Sequence, residues 1–270
     1  MDHDDPKKPE FKTWDSFAQF ARRVQNERRF VWDEATEAFL NTVLATIRAR
    51  DVTLPEGMIL SRAQRGVDWI DRKDDDGNDM GEEPSGFGRE RMKPLQYRAS
   101  EGRANSRGIP VLYLATTEQT AISEVRPWIG DSISVAQFKL RRKIKAIDLS
   151  KGHGQISWSK LSFDHLMGKK TPGAALKEKT VWIEIDNAFS RPVTQSDDLA
   201  HYVPTQILAE LFRNAGYEAV IYKSQFGEKG FNIALFDIDS ADPINCAPFE
   251  VTDIDVKSRE IGNRWFSRNK

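Results

Sequence analysis

Cysteine is almost absent from this chain. A single residue, Cys246, excludes an internal disulfide and any Cys-x-x-Cys redox or metal motif, and points to a reducing compartment. The histidines are few and scattered (His3, His153, His165 and His201), and His153 and His165 do not stand at ligand spacing on one helix. No Gly-x-x-x-x-Gly-Lys phosphate loop, His-Glu-x-x-His helix or Gly-x-Ser-x-Gly elbow occurs. A metal enzyme and a Ser-His-Asp hydrolase are therefore both unsupported. No apolar run approaches the ~20 residues of a membrane span, and the charged N-terminus lacks the apolar core of a signal peptide. The expectation is a soluble cytoplasmic protein with no membrane contact. Charge imbalance is missing too: 40 Lys and Arg against 41 Asp and Glu leave a net charge of −1. The basic clusters Arg22-Arg23, Arg28-Arg29 and Arg141-Arg142-Lys143 match no nucleic-acid-binding motif, so no nucleic-acid partner is expected.

What the chain does have is material for a core: 39% hydrophobic residues, with 15 Phe and 7 Trp, over 270 positions. Helical spacing of Trp14, Phe17, Phe20, Ala21 and Val24 predicts a helix within 14–29, and a second runs from Asp33 to about Arg48. Both are amphipathic, fit for packing onto a larger body or for forming a homo-oligomer. The turn signal Leu54-Pro55-Glu56-Gly57 then opens the main domain. We divide the chain into a helical N-terminal extension, 1–53, and a main domain, 54–270.

Within that domain the first strand is read at Met58–Arg62 and another at Val111–Ala115. A helix from Thr116 or Thr117 to Val125 is stopped by Pro127. Strands follow at Ile133–Leu140 and Ile144–Leu149. The stretch 152–200 is mixed, clearest as a helix over Ala174–Ile185. A helix Pro204–Asn214 closes on Gly216, followed by strands Ala219–Tyr222, Phe231–Phe236 and, near the end, Phe249–Val256. The fold class is α+β. Residues Asp71–Glu83 read as an exposed acidic loop. Asp74, Asp76 and Asn78 alternate there as in a calcium loop, but Asp79 and Ser85 stand where the required Gly and Glu belong, so no metal is expected.

One segment concentrates chemistry. Gly102-Arg103-Ala104-Asn105 is a glycine-bracketed turn whose Arg has the planar fork suited to phosphate. Tyr113 lies inside an apolar strand, and Glu124 stands near the end of the helix after it. Taken singly, Arg103 reads as a surface cation, Tyr113 as a core aromatic and Glu124 as a solvated carboxylate; only their combination is informative.

That combination resembles the signature of the RES-domain family, named for its Arg, Glu and Ser. The matches are Gly102-Arg103-Ala104-Asn105, Tyr113-Leu114-Ala115 and Thr120-Ala121-Ile122-Ser123-Glu124. Arg62 matches the family's earlier arginine, with Arg65 close by as an alternative, and Ser224 matches the late serine after Gly216-Tyr217. An Asn-x-x-x-Phe strand, Asn232 to Phe236, follows. The similarity spans roughly 58–240. The chain departs from it at Ala104, where many members carry Trp, at Gln225, where a second Ser is frequent, and in its longer 1–50 and 150–200 regions.

The resemblance implies an ADP-ribosyltransferase-like mixed sheet with flanking helices. It also implies an enzyme that breaks the nicotinamide–ribose bond of NAD+, which is then the substrate and not a cofactor. On that basis Glu124 stabilises an oxocarbenium-like transition state, and Arg62 and Arg103 hold the pyrophosphate. Asn105 and Tyr113 line the site, Tyr113 against the nicotinamide, and Ser224 positions a phosphate or the ribose. Arg126 is a further candidate anion contact. Water as acceptor gives a NAD+ glycohydrolase, inorganic phosphate a NAD+ phosphorylase, and a protein side chain an ADP-ribosyltransferase. A silent NAD+ or ADP-ribose-binding module is the non-enzymatic alternative. The resemblance also implies a toxin neutralised by an Xre-like antitoxin protein.

Overall fold

The computed structural model describes residues 9–153, 173–191, 199–226, 230–256, 258, 260–262 and 265. His3, His165 and the parts of the 152–200 region at 154–172 and 192–198 lie outside them.

Two helices open the chain, α1 (Ser16–Asn26) and α2 (Glu34–Thr46). Asp33 caps α2 by accepting a hydrogen bond from the Thr36 amide at 2.8 Å, and Glu34 and Glu37 in the first turn complement the helix dipole. A 3-10 turn, Ile47–Arg50, leads directly into β1 (Asp51–Leu54), a strand too short for its sequence to announce. Next come β2 (Ile59–Arg65), β3 (Asp68–Lys73), β4 (Asp79–Ser85) and the short α3 (Arg89–Met92). The stretch read as an acidic loop is thus a two-stranded hairpin, β3 with β4. It is exposed on both faces, so no alternation of apolar and polar residues marks it. Asp74 organises its turn, accepting from the Asp76 and Asn78 amides. Among the described residues no cluster of three His, Cys, Asp or Glu side chains is placed to share a metal ion.

The remaining elements are β5 (Leu112–Ala115), α4 (Glu118–Glu124), β6 (Ser132–Leu140), β7 (Ile144–Asp148), α5 (Ala174–Ser190), α6 (Val203–Asn214), β8 (Ala219–Lys223), β9 (Phe231–Leu235) and β10 (Ala241–Glu250). The last strand lies earlier than the expected Phe249–Val256. Pro243 and Pro248 obscure it, yet both are tolerated because β10 is an edge strand pairing only with β6, with a bulge at Pro243/Asn245.

Eight strands form one mixed sheet in the order β1-β7-β8-β9-β5-β2-β6-β10, with helices flanking it. Only β7 and β8 run parallel; the other pairs are antiparallel. Strand alternation divides the core. Tyr113, Val220, Tyr222, Ala234 and Phe236 face α1, α2, α5 and α6 on one side. Leu60, Leu112, Leu114, Phe138 and Leu235 pack with Phe87 and Met92 on the other. Residues 11–47 are part of the first cluster: Phe20 stacks on Phe39 at 4.5 Å, and Trp182 of α5 donates to Thr46 Oγ1 at 3.1 Å. Arg50 reaches the carbonyls of Leu149 and Lys151 while lying 4.7 Å over the Trp182 ring. Burying rings of this size contributes about 2–3 kcal/mol each.

The basic run at 141–142 is paired, Arg141 with Asp242 and Arg142 with Glu218 and Asp237. Among the described residues no helix is long and apolar enough to cross a membrane.

Candidate active site

The sheet is incomplete in its middle. β2 pairs along its whole length with β6, and β5 along its whole length with β9, but β2 and β5 share a single registered pair, Ser61 with Ala115. A cavity of about 420 Å³ lies against that junction, lined by both strands, the Gly102 turn, the end of α4 and the interior ends of β8 and β9. The volume suits a ligand of nucleotide size.

Glu124 reaches the cavity as the last residue of α4. Thr117 caps that helix by accepting from the Thr120 amide at 3.1 Å, and Val125 ends it just before Pro127. Two buried side chains fix the carboxylate through one oxygen. Ser224 Oγ donates to Glu124 Oε1 at 2.7 Å, and Asn232 Nδ2 donates to the same atom at 2.6 Å. Oε2 has no protein partner among the described residues. Ser224 also accepts from the Phe226 amide at 3.2 Å, which fixes its own orientation.

The two arginines are the reverse case. Arg62 Nε and Nη1 and Arg103 Nε are buried and meet no hydrogen-bond acceptor among the described residues. Burial draws the Arg62 guanidinium down to about 10 from its ordinary 12.5, so it is still charged at neutral pH. Arg65, three residues on, is spent elsewhere. It donates to the carbonyls of Val125 and Arg126 and faces Asp131. Of the two candidate arginines on β2, Arg62 is the one at the cavity.

Tyr113 lines the cavity, but its hydroxyl is committed. It donates to Asn105 Oδ1 at 2.7 Å and accepts from the Ala104 amide at 2.9 Å. Burial holds its phenol well above the ordinary value, and pushes that of Tyr222, beside Arg103, up to about 12. Both are neutral donors at physiological pH. Asn105 is buried and shares its amide hydrogens among the carbonyls of Ser100, Ser106 and Ile109. It shapes the turn and does not line the Glu124 cavity. Gln206 of α6 ties that turn down, donating to the carbonyls of Gly102 and Asn105 at 3.0 Å each. Position 102 must be glycine for this packing: a Cβ there would stand 2.6 Å from the Tyr113 hydroxyl. Arg126, in a left-handed conformation (φ 49°), lies over the Phe226 ring at the cavity edge.

The geometry therefore gathers Arg62, Arg103, Tyr113, Glu124 and Ser224, and places Asn105 behind them as a support. Asn232 is the residue that sequence reasoning undervalued. In the sequence it reads only as the start of the Asn-x-x-x-Phe strand, with no role at the site, and its register opposite Ala115 is what aims it at Glu124.

A sequence model described as RES domain matches residues 84–256. No curated protein matches the chain. Among solved structures, the chain is similar to one titled "Crystal structure of the M.tuberculosis MbcT-MbcA toxin-antitoxin complex". The two share 13% identity, the match covers 77% of this chain and 92% of that one, and the TM-score is 0.38.

Proposed function

The chain belongs to the RES-domain family, and from that premise we propose that it cleaves NAD+ at the nicotinamide–ribose bond. The carrying observation is the treatment of charge in the cavity. One carboxylate is held by two donors to a single oxygen, while beside it Arg62 Nε and Nη1 and Arg103 Nε are buried with no acceptor among the described residues. NAD+ has the complementary pattern, an anionic pyrophosphate close to a ribose carbon that becomes cationic as the bond breaks.

In this reading the C1′–N bond breaks heterolytically and its electron pair leaves with nicotinamide, which becomes neutral. Glu124 stabilises the cationic ribosyl carbon, an electrostatic effect strongest where water is excluded. Ser224 and Asn232 hold the carboxylate still, and Arg62 and Arg103 take the diphosphate. An oxygen lone pair of the acceptor then closes the cation. Phosphate as acceptor gives ADP-ribose 1″-phosphate; water gives ADP-ribose and releases a proton. We favour these small acceptors over a protein side chain because the cavity is recessed between strands. Tyr113 acts through the wall it builds for the nicotinamide, its hydroxyl being already engaged.

The family resemblance further supports a toxin held in check by an Xre-like antitoxin protein. Purified chain incubated with NAD+, with and without phosphate, should release nicotinamide, and the mass of the second product names the acceptor. Glu124→Gln should abolish release while the protein stays folded. Folded wild-type protein that leaves NAD+ intact under both conditions would sink the proposal.

A further inference from the structure

A second cavity, of about 380 Å³, adjoins the first, and Arg62 and Tyr113 line both. Its character differs. Pro94, Leu95 and Val111 give it an apolar side, and Arg98 stands at its rim. Two further cations on its wall are already neutralised. Arg91 pairs with Asp68 at 3.2 Å, and Lys93 with Asp239 at 3.0 Å and Asp242 at 3.5 Å. Arg98 faces no carboxylate among the described residues, which leaves it and Arg62 as the charges available to a ligand.

We propose that this second cavity holds the adenosine-phosphate half of the dinucleotide, with the base against Pro94, Leu95 and Val111 and the phosphate between Arg62 and Arg98. The inference rests on the NAD+-cleaving reading of the Glu124 cavity. Two cavities of similar size, separated by a wall that carries an unpaired buried guanidinium, match two nucleotide halves joined by a diphosphate. Free inorganic phosphate matches the second cavity poorly, because it needs donors on all sides and has no use for an apolar wall. Binding energy from this non-reacting half would position the scissile bond, so its loss should act on NAD+ and spare a truncated substrate.

Nicotinamide mononucleotide carries the same scissile bond without the adenosine half, and so provides the test. The ratio of kcat/KM for NAD+ to that for the mononucleotide should be high in wild type. It should fall at least tenfold in Arg98→Ala and in Ala99→Trp, the second of which fills the cavity without touching Arg98. Thermal melts confirm that both variants fold. Calorimetry with adenosine 5′-monophosphate is run in parallel, with binding expected in wild type and lost in both variants. An unchanged substrate ratio in folded variants that turn over NAD+ overturns the inference and leaves the catalytic reading standing. So does an effect confined to the KM for inorganic phosphate, which would assign the cavity to the acceptor. Adenosine 5′-monophosphate binding that disappears in the variants of a protein cleaving neither substrate supports the subsite while refuting the catalysis.

Discussion

Arg62→Met should make the protein more stable and inactive at once. The Arg62 guanidinium is buried at Nε and Nη1, neither of which meets an acceptor among the described residues, and its pKa stands at about 10 against 12.5 in the unfolded chain. That depression corresponds to about 3 kcal/mol of unfavourable free energy in keeping the charge inside. Partial hydration of the remaining edge lowers the expected gain on removal to about 1–2 kcal/mol. Methionine fills much of the same stem volume and brings no charge. The gain corresponds to a rise in Tm of roughly 2–8 °C for a domain of this size. The sign also fixes the pH dependence. Between pH 10 and 12.5 the unfolded chain keeps a proton that the folded one has lost. The penalty is therefore present in full below pH 10 and fades as pH rises through that interval, so variant and wild type should converge in alkali. Added pyrophosphate should raise the wild-type Tm by binding only the native state and leave the variant unmoved. Differential scanning calorimetry at neutral pH with a nicotinamide-release assay checks both halves. A variant that melts below wild type would refute the reasoning, because it would mean that Arg62 has a native partner stabilising it.

Ser224→Ala removes one of the two donors to Glu124 Oε1 and leaves Asn232 in place, so kcat should drop about 10- to 100-fold with little change in KM. Restoration by Ser224→Thr would separate this positioning role from a defect in folding. Glu184 of α5 is pushed up to about 7 by burial, and its Oε2 has no partner among the described residues. An acid raised in the native state loses stability as pH climbs from its unfolded value through its folded one, so wild type should soften between pH 5 and 7 in urea titrations, and Glu184→Gln should flatten that slope.

The local parts of the site were legible in the sequence. Glu124 was placed near a helix end by the Pro127 stop, and of the two candidate starts, Thr116 and Thr117, the structure makes Thr117 the cap. The Gly102–Asn105 turn was marked by its glycine, and Tyr113 by the apolar strand around it. The assembly was less legible, because it depends on long-range strand order. Ser224 and Asn232 meet Glu124 from 100 and 108 residues away, through β8, β9 and β5 lying side by side, an arrangement that no periodicity encodes. The β3–β4 hairpin was missed for a different reason. Strands wet on both faces carry no alternation, and Asp, Gly and Pro within them read as loop. Similarity to a family supplied what periodicity omitted, namely that Arg62 and Ser224 belong with the contiguous motif.

The distribution of satisfied and unsatisfied groups bears on whether this cavity is built for turnover or for binding alone. In a pocket that merely captures a nucleotide, a carboxylate can take the ribose hydroxyls, but placed beside the arginines it also repels phosphate and competes for the cations. Here Glu124 makes no ion pair with Arg62 or Arg103 among the described residues, although all three line one cavity. Ser224 and Asn232 hold it apart from them, and the Tyr113 hydroxyl in the wall and Asn105 behind it are satisfied by each other and by the backbone. Among the described residues, Arg62 Nε and Nη1, Arg103 Nε and Glu124 Oε2 thus keep unspent hydrogen-bonding capacity, with the charges held apart at a cost in stability. That separation suits a reaction in which positive charge appears at one point of a ligand whose negative charge lies at another. Replacing Glu124 with Gln distinguishes the two cases. An enzyme loses turnover while NAD+ affinity holds or improves, since the repulsion on the diphosphate is gone; a binding module shows the affinity change with no turnover to lose. Calorimetry and nicotinamide release on the same pair of proteins give the answer.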